Sequence, residues 1–160
     1  MINGVHHVGL STGDLDRLQR FYADLLGFRV LTSFEWPEGS ADIDRIIGLK
    51  NSAARHVMLA RDRFCMEIFE YHRPTPKSTA PLLPNDRGYT HICIDVSDID
   101  AEYERLRAAG MEFNCAPPKS EGQAFRSTYG RDPDGNIIEL QELFGVHPWR
   151  QAPAAELPAR

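Results

Sequence analysis

The chain has 160 residues, 42% of them hydrophobic and 26% charged, with a formal net charge of −5. That is enough for one compact domain or two small modules, and mild acidity without a basic run or basic helix face argues against a nucleic-acid or anionic-membrane surface. No apolar stretch reaches membrane-spanning length, no basic-then-apolar leader opens the chain, and Cys65, Cys93 and Cys115 sit at no zinc spacing, which together point to reduced thiols in a cytoplasmic protein.

Val5–Ser11 alternates as a strand, with His7, Gly9 and Ser11 on one face and His6, Val8 and Leu10 on the other. Asp14 is a candidate N-cap for a helix carrying Leu15, Leu18, Phe21, Tyr22, Leu25 and Leu26, which Gly27 closes. Phe28–Glu35 reads as a strand. The connection 36–52 contains one short amphipathic helix, D-I-D-R-I-I-G-L, and with Trp36 it forms either a lid or packing at the sheet rim. Arg55–Ala60 and Phe64–Tyr71 form a hairpin turning at Arg61–Arg63. Arg73–Arg87, with four prolines and no periodicity, is a linker.

Tyr89–Ile99 opens a second strand–turn–helix, marked by Ile99, Tyr103, Leu106 and Ala109 and ended by Gly110. Glu112–Cys115 is a short strand, 116–123 a loop, Arg126–Arg131 a strand, D-P-D-G-N a turn and Ile137–Glu142 the last strand. Residues 144–160 form a tail that is loosely held at its end.

A shift of 84 residues lays His7 on His91, Leu10 on Ile94, Asp14 on Asp98 and Asp16 on Asp100. The chain is thus an internal repeat: a first module over 1–73, a linker over 74–88, a second module over 89–143 and the tail. Each module reads β-α-β-β-β. The expected fold is α+β, two such modules building a curved eight-stranded trough with helices outside. Alternation also puts His7, His91, Glu67 (in M-E-I-F-E) and Glu139 (in I-I-E-L-Q) on the side away from the helices. Two imidazoles and two carboxylates suit a borderline divalent ion such as Zn, Ni, Co, Fe or Mn, with positions left for water or substrate.

V-H-H-V-G-L, L-D-R-L-Q-R-F-Y-A-D-L-L-G-F, M-E-I-F-E, Y-T-H-I-C-I-D-V-S-D-I-D and G-R-D-P-D-G-N-I-I-E-L span Val5 to Leu143. Together they resemble the vicinal oxygen chelate superfamily, which includes glyoxalase I, methylmalonyl-CoA epimerase, fosfomycin-resistance proteins, extradiol dioxygenases and bleomycin-resistance proteins. The glyoxalase I-like and epimerase-like members are the nearest in pattern. The resemblance implies metal ligands at His7, Glu67, His91 and Glu139, and a homodimer.

It also implies a metal-dependent isomerase, epimerase or lyase that stabilises an enolate-like intermediate of a small oxygenated substrate. Glu139 or Glu67 would move the proton. A glutamate at 67 favours this chemistry over extradiol ring cleavage, whose enzymes resemble one another in using His, His and Glu. Tyr129, ten residues before Glu139, favours the dioxygenase instead. A non-catalytic resistance protein that binds a small molecule is the third reading. Glu35 is a weaker acid/base candidate, Arg126 and Arg87 are candidates for an anionic substrate, and His6, His56, His72 and His147 are expected to lie outside the site.

Overall fold

Asp14 opens the first helix because its extended backbone (φ −153°, ψ 92°) turns the carboxylate back to accept from the Arg17 N–H at 3.0 Å. The structure is a computed structural model that describes residues 1–148 except 3, 78, 79 and 120. The outer tail, 149–160, therefore lies outside the described residues. The chain divides into two compact units, Met1–Thr79 and Ala80–Arg160.

In the first unit the elements run β1 (His7–Ser11), α1 (Leu15–Arg20), β2 (Arg29–Trp36), α2 (Ala41–Ile47), β3 (Ala53–Arg61) and β4 (Phe64–Arg73). The expected single helix over 15–26 is in fact α1 followed by a wider π turn at Phe21–Leu25, ended by Gly27 at φ +70°. The strands order as β1-β4-β3-β2, with β1 parallel to β4 and the other pairs antiparallel. One face is covered by α1 and the π turn: Leu15, Leu18 and Tyr22 are buried with Val57, Leu59, Met66 and Ile68. Each such side chain contributes about 1.5–3 kcal/mol by leaving water.

The second unit repeats the plan with β5 (His91–Asp95), α3 (Ile99–Ala108), β6 (Glu112–Phe113), β7 (Phe125–Arg131) and β8 (Ile137–Leu143), ordered β5-β8-β7-β6. Asp98 caps α3 from the left-handed region (φ +58°), which a short polar side chain tolerates, and accepts from the Ala101 N–H at 3.1 Å. Glu142 on β8 accepts from the N–H groups of Asp98 and Ile99 at 2.8 and 3.1 Å, so the helix start is bound to the sheet. Ile99, Leu106 and Met111 are buried on this face with Ile138 and Leu140. The fold is α+β, two four-stranded sheets each backed by a helix. Among the described residues no helix is long and apolar enough to cross a membrane.

The covered faces share an ion-pair device. In the first unit Arg55 bonds Glu70 at 2.9 Å and reaches Asp16 on α1 at 3.4 Å. In the second, Arg126 grips both oxygens of Asp100 on α3 at 2.7 and 2.9 Å and donates to the carbonyls of Pro117 and Pro118. Hydrogen bonds from Arg126 first, then Lys119, hold the Asp100 carboxyl well below the usual carboxylate range. Arg126 is thus a fastener on the helix side. That corrects its expected role with an anionic substrate.

Short β6 lies against Gly130, where an added Cβ would stand 2.6 Å from Met111 Cε and 2.8 Å from the Glu112 carbonyl oxygen. Gly130→Ala is therefore expected to cost about 1–3 kcal/mol by overpacking. Urea unfolding checks it, and a midpoint equal to wild type would show that β6 simply moves aside.

Candidate functional site

Register decides which side chains share the uncovered face of each sheet. Glu67 on β4 pairs with Gly9 on β1 and Met58 on β3. Glu139 on β8 pairs with Cys93 on β5 and Tyr129 on β7. His7 and His91 each sit two residues before the position opposite the glutamate, so both units build the same diagonal His–Glu pair. His7 Nε2 lies 3.2 Å from Glu67 Oε2, and His91 Nε2 lies 3.3 Å from Glu139 Oε2. The four side chains remain part-exposed, from 38% at His7 down to 15% at Glu139, which leaves them open to a ligand.

The far sides of the imidazoles are held too. His7 Nδ1 meets His6 Nδ1 at 2.9 Å, so one of the two rings supplies the proton, and His91 Nδ1 meets Thr90 Oγ1 at 3.0 Å. These contacts leave each Nε2 aimed at the carboxylate. His6 precedes β1, so strand alternation does not govern it, and its ring reaches the pair after all.

Beside Glu139 the Tyr129 ring lies 5.2 Å from the His91 ring at a 37° tilt. Burial first, then the negative Glu139, pushes its phenol above the ordinary tyrosine value. The Cys93 thiol is pushed up to about 12, by burial and then by Glu139, to which it donates. Although the residue is exposed, its raised pKa keeps it a thiol at neutral pH.

The first unit differs at the equivalent places. His56, expected to lie apart, is 2% exposed with its Nε2 3.0 Å from Glu67 Oε1, so the carboxylate stands between two imidazoles. The hairpin register holds the missed signal: with Arg61 opposite Phe64, counting back puts His56 opposite Phe69 and one step diagonal to Glu67. Burial, the largest effect, pulls the His56 pKa below its ordinary value, against the raising effect of Glu67.

Phe34 and Phe69 flank His56, and Trp36 and Tyr71 pack in turn against Phe69. Trp36 is buried at the rim, its Nε1–H donating to Ser52 Oγ at 3.0 Å, while Ser52 bonds Asp44 of α2. Glu35 pairs with Arg55, whose own partners lie on the helix side, so Glu35 faces away from Glu67. Arg87 and His72 are exposed, and His147 packs near Phe125 at 6.4 Å.

The donor set fits a cation. Nitrogen and oxygen ligands each about 2.1 Å from one ion, at bond angles near 90–110°, stand about 3.0–3.4 Å apart, and both measured separations fall in that span. Among the described residues no group of three or more His, Cys, Asp and Glu is arranged as a metal cluster, so each unit by itself offers two donors.

Residues 4–140 match the Glyoxalase/Bleomycin resistance protein/Dioxygenase superfamily. The chain is 30% identical over 136 residues to a lactoylglutathione lyase of Haemophilus influenzae, covering 85% of this chain and 90% of that protein. It is 31% identical over 158 residues to a 2-epi-5-epi-valiolone epimerase of an Actinomyces species, covering 92% and 83%. A glyoxalase family protein from Bacillus cereus has the same fold, with a TM-score of 0.79 at 23% identity, covering 91% of this chain and 97% of that one. With its repeated sheets and its match over most of its length, the chain belongs to the glyoxalase/bleomycin resistance protein/dioxygenase superfamily.

Proposed function

We propose that the protein is a divalent-metal-dependent isomerase, epimerase or lyase. It would act on a small oxygenated substrate through an enolate-like intermediate, with His7 and Glu67 in one unit and His91 and Glu139 in the other as its metal donors. The observation that carries this reading is the same diagonal His–Glu pair in both units, at separations of 3.2 and 3.3 Å that suit shared coordination. The similarity to a lyase and to an epimerase agrees with it.

A bound ion supplies Lewis acidity that steadies negative charge on a substrate oxygen. Glu139 or Glu67 would take the proton from the carbon next to the carbonyl bearing that oxygen and return it to the neighbouring carbon in an isomerisation, or to the opposite face of the same carbon in an epimerisation. The Tyr129 phenol, kept protonated by burial and by Glu139, is a donor for a substrate oxygen. The His6 and Thr90 contacts hold the two imidazoles in orientation. A homodimer is part of the same reading, and sedimentation velocity tests it.

Metal analysis of the purified protein is expected to find one divalent ion per chain, falling roughly tenfold or more in His91→Ala. Wild-type protein without a stoichiometric ion would instead favour a non-catalytic binding protein. A second reading, extradiol ring cleavage, is favoured by the Tyr129 ring against His91. Oxygen consumption with a catechol would select it, whereas deuterium exchange at a substrate α-carbon would select proton transfer.

A further inference from the structure

We propose that His56 is a positioning residue for Glu67: its Nε2–H holds Oε1, leaving Oε2 turned toward His7 and the cation. The inference rests on the reading of Glu67 as a metal donor. His56 is 2% exposed, its ring centroid 4.4 Å from that of Phe34 and 4.9 Å from that of Phe69, in a slot that a purely apolar ring would fill without desolvation cost. An imidazole there needs a polar partner, and neither ring nitrogen makes an aligned hydrogen bond.

The Glu67 carboxylate is the group in reach, with Oε1 3.0 Å from Nε2 and Oε2 3.2 Å from His7 Nε2. Its terminal torsion is broad and soft, so a small rotation aligns the Nε2–H with Oε1. One oxygen is thereby tied to a buried donor and the other is left for a ligand. In the second unit the position equivalent to His56 is Ser127, opposite Gln141, and the second hydrogen bond to the glutamate comes from the Cys93 thiol instead. Each carboxylate thus has its own support, built from a different residue.

Two measurements test this. Long-range ¹H–¹⁵N spectra of the metal-free protein are expected to show His56 as the Nε2–H tautomer, with its nitrogen shifts moving in Glu67→Gln. An Nδ1–H tautomer, or shifts indifferent to Glu67, overturns the proposal whether or not a metal binds. Co(II) titration is expected to show affinity about 10–100-fold weaker in His56→Phe, which keeps the ring packing, with most of the loss recovered in His56→Gln. The bound Co(II) absorption should shift in His56→Phe while metal-free melting holds or rises. Wild-type affinity and spectrum in His56→Phe overturn the proposal. If wild-type protein takes up no Co(II), the metal reading fails on its own, and the tautomer then decides whether His56 orients Glu67.

Discussion

Glu139→Gln is expected to lower turnover about 10²–10⁴-fold, the usual contribution of a positioned acid or base. The amide keeps the shape of the side chain and one oxygen, but it cannot accept a proton and carries no charge. Its neighbours feel the loss as well, since the Cys93 thiol donates to Glu139 and His91 Nε2 faces it at 3.3 Å. Steady-state rates on a substrate found by deuterium exchange, with metal content measured alongside, separate lost proton transfer from lost metal. Glu35→Gln is the matched control because Glu35 faces the helix side. A rate within threefold of wild type in Glu139→Gln would remove this residue from the chemistry.

The second large effect lies one residue away, on the other face of the same strand. Ile138 is fully buried beside Leu140 against α3. Truncation to alanine is expected to cost about 2–5 kcal/mol from lost transfer energy and the cavity left behind. For a chain of this size that lowers the melting temperature by roughly 4–20 °C. The fraction that stays folded should turn over normally, the reverse of the Glu139→Gln result. A loss below 1 kcal/mol in guanidinium titration would mean that the helix closes over the gap.

This contrast between adjacent residues explains why so much was legible beforehand. Period-two alternation puts Ile138 and Glu139 on opposite faces, and likewise Met66 and Glu67. Capping chemistry read Asp14 and Asp98 at the helix starts, and D-P-D-G-N read as the turn between the last two strands. What escaped depended on distance in sequence. Arg126 looked free because Asp100, its partner, lies 26 residues away on a helix. His56 looked idle because its link to Glu67 crosses a hairpin whose register must be counted residue by residue. The π turn after α1 carried no periodic signature distinct from an ordinary helix.

The two units differ in front of their sheets. Behind each sheet an Asp–Arg pair to the helix recurs, while in front Met58 stands where Tyr129 does, and His56 where Ser127 does. Scaffold and working surface are therefore separable along every strand. Met58→Tyr, on the face away from the Asp–Arg pairs, is expected to alter what the protein handles more than how it folds. A duplicated gene with this layout keeps one face as its inheritance and has the other free for invention.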